Sequence, residues 1–380
     1  VVSTTWRSTP VLLEMMLTNS AFVITLLRFG AAKIAVQLDR ATDLCACMST
    51  AWFRRALLPW YREHHRPLPW RANRNPYRIW LSEVILQQTR VEQGLAYWHR
   101  FVERYPSAAE LAKAPEDEVL RLWQGLGYYS RARNLRTAAA QLMERHGGAF
   151  PPEIGALRAL KGVGDYTAAA IGSIAFGLVE PAVDGNVYRV LARVFGISTP
   201  MDSTAGRKEF RALAARLMDK EQPGDHNQAV MELGALVCTP KSPHCGECPV
   251  ANKCIARRTQ RISELPVKVG RIKVRERHFN YLYLSGKPGT FLIKRTGKDI
   301  WQGLYELPLI ESPEALAPNR FMNQVEQHFG PGWKMVKKHG PVNHVLSHQV
   351  IQARFWEVVP PVGFTAPEGW IAVRPDTIDR

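Results

Sequence analysis

Cys238, Cys245, Cys248 and Cys254 follow one another with the spacing C-x6-C-x2-C-x5-C. Four thiolates from one short loop are the donor set of a soft metal centre, either an iron–sulfur cluster or zinc. A structural zinc site more often shows two Cys-x2-Cys knuckles, and one such pair occurs here. Clustering of this kind points to metal rather than to a disulfide framework. The loop also carries Lys241, His244 and Lys253, cations suited to phosphates. The two remaining cysteines, Cys45 and Cys47, have no ligand set around them and stay unassigned.

Two carboxylates stand in settings where they could do acid–base or electrostatic work. Asp184 lies in Pro181-Ala-Val-Asp-Gly-Asn-Val187, and Val187, Val190, Leu191 and Val194 follow at helical spacing. It reads both as a helix N-cap and as a carboxylate presented at a helix entrance. Glu83 lies in Pro76-Tyr-Arg-Ile-Trp-Leu-Ser-Glu-Val-Ile-Leu-Gln-Gln-Thr-Arg90. On a helix, Glu83, Gln87 and Arg90 fall within about 60° of one another as a polar stripe. Trp80, Leu86 and two adjacent glutamines make an unusual exterior for such a helix, but a suitable wall for an extruded base. Leu160-Lys-Gly-Val-Gly-Asp-Tyr-Thr-Ala-Ala-Ala-Ile171 has the form of a helix–hairpin–helix. Gly162 and Gly164 in its turn let backbone amides approach a phosphate at a helix N-terminus, although a tight turn alone would show the same residues.

The elements that must hold these groups fall into regions. A chain of 380 residues reads as two or three domains. Residues 1 to about 48 show no clear period, and Met48 precedes an amphipathic segment, so this stretch is expected to be an extension upstream of the true start. From Trp52 to Ala256 apolar residues recur at three and four, the helical period. Residues 257–277 hold eight Lys and Arg against two Glu and are expected to form a basic linker. After it, 278–284, 291–294 and 348–359 read as strands and 313–329 as a helix, an α+β domain over 278–380. The formal charge of +16 favours a polyanionic partner. The apolar stretch Val11 to Leu38 is interrupted by Glu14, Arg28 and Lys33, which argues against a membrane span or signal peptide and for a reducing, cytoplasmic setting.

Taken in order, the motifs resemble the MutY family of adenine DNA glycosylases within the helix–hairpin–helix endonuclease III superfamily. They are Trp80-Leu-Ser-Glu83, Leu86-Gln-Gln-Thr89, Gly125-Leu-Gly-Tyr-Tyr129 with Arg131 and Arg133, the hairpin, Val183-Asp-Gly-Asn186, Asn227-Gln228 and the four cysteines. The resemblance is close from Trp52 to Ala256 and looser beyond. It implies a mainly α helix–hairpin–helix catalytic core over 49–256, with a six-helix module near 76–185 and a cluster module from 49–75 and 186–256. It further implies a 4Fe-4S cluster on the four cysteines with a structural role, and a C-terminal α+β Nudix-like domain.

By the same resemblance Glu83 is the general acid that protonates adenine at N7, and Asp184 stabilises the oxocarbenium-like sugar, electrostatically or as a transient covalent partner. This applies the two-carboxylate logic of glycoside hydrolysis to a nucleoside. To hold a proton at neutral pH, Glu83 needs a raised pKa, which a closed apolar pocket around a flipped base would supply. Tyr166 stands where related bifunctional enzymes carry a lysine nucleophile, and a phenol forms no Schiff base. A monofunctional enzyme that leaves an abasic site is therefore expected. Gln88 and Tyr128 match residues that wedge into the duplex, and Gly162, Gly164, Tyr166 and Asn186 are further expected DNA contacts.

Lys294-Arg295 and Trp301-Gln-Gly-Leu-Tyr-Glu-Leu-Pro308 resemble the family's Nudix-like domain, without the paired glutamates of Nudix catalysis. Asn343-His-Val-Leu-Ser-His348 lines up with the loop that reads 8-oxoguanine, implicating Leu346, Ser347 and His348. The family commonly has Phe where this chain has Leu346. The expected partner is duplex DNA with adenine opposite 8-oxoguanine or guanine, bound by a monomer with no membrane association. Two rivals compete: an endonuclease III-like glycosylase/lyase acting on oxidised pyrimidines, and a non-catalytic iron–sulfur DNA-binding protein.

Overall fold

Short polar side chains start many of the helices. In the computed structural model, which describes residues 50–270, 274–285 and 289–374, Asn75 accepts the Arg78 N–H at 3.1 Å ahead of the helix Pro76–Ile85. Ser107, Ser203 and Asp184 cap three others in the same way, each satisfying an amide that the helix cannot. The chain divides into two contact units, each formed from two separate stretches of sequence. The expected extension 1–48, with Cys45, Cys47 and Met48, lies outside the described residues, as do Arg271 and Lys273 of the expected linker.

One unit combines residues 50–66 with Gly177–Val267. A helix over 50–64 packs with Gly185–Phe195, Thr204–Leu217 and Pro223–Leu236 around Phe53, Leu57, Leu191, Phe210 and Leu233. Arg66 closes the two stretches with a bidentate pair to Glu232, which is 1% exposed. Removing one partner of such a pair strands a buried charge, at a cost of about 3–5 kcal/mol. The side chain of Asn227 accepts the Ala182 N–H and donates to the Glu180 carbonyl, holding the segment that leads into Asp184.

Besides residues 67–75, which fall in the other unit, two expected edges of this region shift. The connection 177–184 packs here rather than with the helices before it, and the chain stays in this unit to Val267 instead of ending at Ala256. Apolar residues account for the second shift: Leu265 is 2% exposed, Ile262 and Val267 pack on the same core, and Arg193 donates to the carbonyls of Ile262 and Leu265. At its other end the expected linker runs into a strand, because Arg275–Arg277 already pair in a sheet.

The same unit buries His226 against Phe53 with its Nδ1 atom unpartnered. Burial pushes its pKa from 6.5 down to about 4, with Asp219 opposing and Arg54 adding to the fall. The unfolded chain therefore takes up this proton first, and stability is lost as pH drops from 6.5 toward 4. His226→Leu should flatten the urea-midpoint profile in that window by about one proton. Identical slopes for the two proteins would remove His226 as the source.

The second unit combines Pro67–Phe176 with the chain from Lys268 onward. Its helical part runs through Pro76–Ile85, Val91–Arg104, Ala108–Lys113, Glu116–Leu122, Ser130–His146, Ile154–Arg158 and Asp165–Phe176. Trp80, Leu81, Ile85, Phe101, Trp123 and Leu142 form its core, each side chain of this size contributing about 1.5–3 kcal/mol on burial. Trp80 is thus a core residue, edge-on to Phe150 at 5.4 Å and close to Tyr77, and not the pocket wall its neighbours suggested.

The C-terminal part has seven described strands: β1 (Arg275–Leu284), β2 (Thr290–Lys294), β3 (Tyr305–Glu306), β4 (Leu309–Ser312), β5 (Lys334–Val345), β6 (Gln349–Val359) and β7 (Trp370–Val373). They form sheets ordered β4-β1-β6-β5 and β3-β2-β7, with β1 and β6 parallel. The helix begins at Pro318 rather than Pro313, since a proline is favoured at the first helical position and keeps the preceding Ala317 extended. It carries one carboxylate, Glu326, where Nudix catalysis needs a set. Among the described residues no helix is long and apolar enough to cross a membrane.

Candidate active site

Glu83 sits in the last turn of Pro76–Ile85, half-buried. Against this helix packs Asp165–Phe176, whose Thr167-Ala-Ala-Ala170 run is small enough for close approach. Tyr166, one residue into that helix, thereby donates its phenol O–H to Glu83 Oε2 at 2.8 Å. The sequence marks Tyr166 as a residue that is not lysine and as an expected DNA contact; its hold on Glu83 depends on a pairing of helices 83 positions apart.

The hairpin precedes Tyr166. Gly162 has φ +77°, and a Cβ there would lie 2.8 Å from Asn134 Cβ, so both backbone and space require glycine. Gly164 is different: its φ is ordinary and nothing stands within 4 Å of an added Cβ. The protein itself leaves that position open, as a backbone that must meet a ligand closely would need.

The polar stripe expected along Glu83, Gln87 and Arg90 is interrupted. The helix stops at Ile85, residues 86–89 turn, and Arg90 starts the next helix as its N-cap. The turn gives Gln88 a φ of 59° and leaves it exposed. Tyr128, in the turn ahead of Ser130–His146, has φ 47° and is 42% exposed. Its hydroxyl donates to Ser347 Oγ at 2.8 Å, and Ser347 Oγ lies 3.2 Å from His348 Nδ1. Two of the three expected lesion-reading residues are thus brought beside an expected wedge residue. The third, Leu346, is half-buried and packs on the C-terminal core that holds Phe279 and Tyr281.

In the other unit Asp184 caps Gly185–Phe195, accepting the Val187 N–H at 2.8 Å and the Asn186 amide at 2.7 Å. Burial raises the pKa of its carboxyl group, and these hydrogen bonds oppose the rise. Asn186 Oδ1 accepts from Arg189, which also donates to the carbonyls of Gly234 and Cys238. One turn further along, Arg193 donates to Cys238 Sγ and to the carbonyls of Thr239 and Pro240. The helix that Asp184 opens is therefore tied directly to the cysteine loop. Sequence reasoning missed both arginines, although their spacing of three and seven from Asn186 already put them on that residue's side of the helix.

Cys238, Cys245, Cys248 and Cys254 are half-buried thiols lining one cavity with Leu233, Val190 and Ile262. Burial pushes Cys248 up to about 11, and the other three cysteines add to the rise. Thiolates crowded together in this way favour a positive centre among them. Lys241 and His244 are exposed on the same loop, while Lys253 lies 5.1 Å from the Trp52 ring.

Comparison with known proteins adds three matches along the chain. Residues 81–216 match the HhH-GPD superfamily of base excision DNA repair proteins, 238–254 the iron–sulfur binding domain of endonuclease III, and 281–380 the NUDIX domain. An adenine DNA glycosylase of Mus musculus is 36% identical over 351 residues, covering 78% of this chain and 68% of that protein. An adenine DNA glycosylase of Homo sapiens is 46% identical over 221 residues, covering 56% of this chain and 40% of that one. A solved thermostable thymine-DNA glycosylase matches with a TM-score of 0.51 at 29% identity, over 55% of this chain and 95% of its own.

Proposed function

Because the chain belongs to the MutY family of adenine DNA glycosylases, we propose that it excises adenine mispaired with 8-oxoguanine or guanine in duplex DNA and leaves an abasic site. The observation that carries the mechanism is the Tyr166–Glu83 hydrogen bond, which orients a carboxyl group beside the helix–hairpin–helix turn. Glu83 gives its proton to N7 of the extruded adenine. The bond from sugar C1′ to N9 breaks with its electron pair going to nitrogen, and adenine leaves neutral. Asp184, held by Val187 and Asn186, stabilises the cationic sugar until water adds at C1′ and loses a proton. Tyr166 offers no amine for a Schiff base, so the strand stays intact.

Gln88 and Tyr128 enter the duplex in this reading, and Ser347 with His348 reads the base opposite adenine. Single-turnover assays on adenine opposite 8-oxoguanine, guanine and thymine test it. Excision should be fastest opposite 8-oxoguanine and absent opposite thymine. A strong borohydride-trapped adduct, or equal rates on all three duplexes, would reject it.

The four cysteines fit a 4Fe-4S cluster. Among the described residues no three His, Cys, Asp or Glu side chains converge closely enough for one ion, yet all four thiols surround one cavity, which suits a polynuclear centre better than a single zinc. When bound, the cluster would cross-link the loop 238–254 to itself in a structural role, since glycosidic hydrolysis moves no electrons, while Arg189 and Arg193 fasten that loop to the Asp184 helix. Purified protein should absorb broadly in the blue and carry about four irons per chain. Cys248→Ala should lose both the absorbance and most duplex affinity. A colourless, zinc-loaded and fully active preparation would overturn the assignment.

A further inference from the structure

The turns that present Gln88 and Tyr128 share an unfavourable backbone. Both residues are in left-handed conformation without being glycine, with φ of 59° and 47°. Such conformations persist where surrounding structure over-determines them. The surrounding group common to both turns is Arg131, whose residue is 8% exposed. Its Nη1 donates to the carbonyls of Val84, Ile85 and Gln87, at the end of the Glu83 helix and the turn that follows. Its Nη2 donates to the carbonyls of Leu126 and Gly127, immediately before Tyr128. One prong of the fork holds each turn.

The electrostatics fit a dedicated clamp. Among the described residues no carboxylate pairs with Arg131; carbonyl dipoles hold its charge instead. Two of these, those of Val84 and Ile85, close a helix whose own last turn has no basic side chain, where a cation is favoured. The guanidinium carbon lies 5.0 Å from the Trp123 ring and 5.8 Å from that of Tyr128. A planar guanidinium with divergent donors serves two turns at once, and a lysine ammonium cannot.

We infer that Arg131 is a positioning residue that locks the Gln88 and Tyr128 turns into one preformed wedge, so that both side chains meet the duplex together. The inference rests on the reading above that these two residues enter the DNA. Its consequence is specific: losing the clamp should slow extrusion of the base and spare the chemistry that follows.

Arg131→Lys, in the full chain, is assayed under single turnover on two duplexes. One is intact, with adenine opposite 8-oxoguanine; in the other a tetrahydrofuran abasic analogue flanks the adenine, so that the target is already unstacked. The variant should be slower by about 10- to 100-fold on the intact duplex, the scale of a small misplacement remote from the chemistry. On the unstacked duplex it should return to within about threefold of the parent protein. An equal loss on both duplexes, or no loss on the intact one, overturns the inference. Arg131→Gln provides the same ratio if the lysine variant fails to fold. Gln88→Ala/Tyr128→Ala separates the levels. If that pair costs nothing on the intact duplex while the parent protein still excises adenine, the wedge and the Arg131 inference fall together and the proposed activity stands.

Discussion

Glu83→Gln is expected to lower single-turnover adenine excision by roughly 10²- to 10⁴-fold, the usual worth of a positioned general acid. Glutamine keeps the shape of the side chain and can still accept the Tyr166 hydroxyl, so packing of the two helices should survive. Affinity for the mispaired duplex should stay within about threefold, because phosphate contacts dominate it and Glu83 makes none in this reading. Tyr166→Phe should cost much less, about 10-fold, since it removes the orienting hydrogen bond and leaves the acid in place. If the two act as one unit, Glu83→Gln/Tyr166→Phe should be no slower than Glu83→Gln alone. Substantial turnover by Glu83→Gln would leave the proposed mechanism without its acid.

The sequence disclosed groups whose chemistry is local and concealed those whose role depends on distant partners. The four cysteines fall within one loop, and Asp184 shows its cap geometry through the apolar helix that follows, so both could be picked out by spacing. The role of Tyr166 toward Glu83 stays hidden in the sequence, which shows only a non-lysine and an expected DNA contact, because that hydrogen bond exists only after two helices pack. Trp80 was misplaced for a related reason: helical periodicity cannot tell which flank of an apolar helix meets the core, and here Phe150 takes it.

Strand β5 escaped notice because Lys334–Val345 lacks alternation and contains Gly340-Pro341, a turn signal. The strand tolerates that dipeptide because it lies at the sheet edge, exposed along its length, and its register with β6 shifts between His339 and Val342. The linker was overextended for the opposite reason. Its charge run hid Ile262, Leu265 and Val267, three apolar residues that fasten the chain to the cluster-bearing unit as far as Val267.

Asp184→Asn should be the variant that gains stability as it loses function. Asparagine caps helices about as well as aspartate, so the Val187 N–H keeps an acceptor. What disappears is a carboxylate whose pKa burial raises above its ordinary value of 3.8. For an acid with a raised folded pKa, the folded chain holds the proton to higher pH than the unfolded one. Stability therefore falls as pH climbs through the interval above 3.8. The variant does not titrate there, so the difference in thermal midpoint, variant minus parent, should grow in the variant's favour across that interval and then level off. A difference independent of pH would show that the carboxylate is not desolvated in solution. Excision should fall by about 10³-fold or more at every pH, in line with the loss of a preorganised charge at a cationic transition state. The two effects share one origin: the burial that destabilises the ionised carboxylate in the resting protein also strengthens its attraction for a positive sugar, because little solvent screens it. An Asp184→Asn protein that kept its turnover would separate them and remove Asp184 from the chemistry.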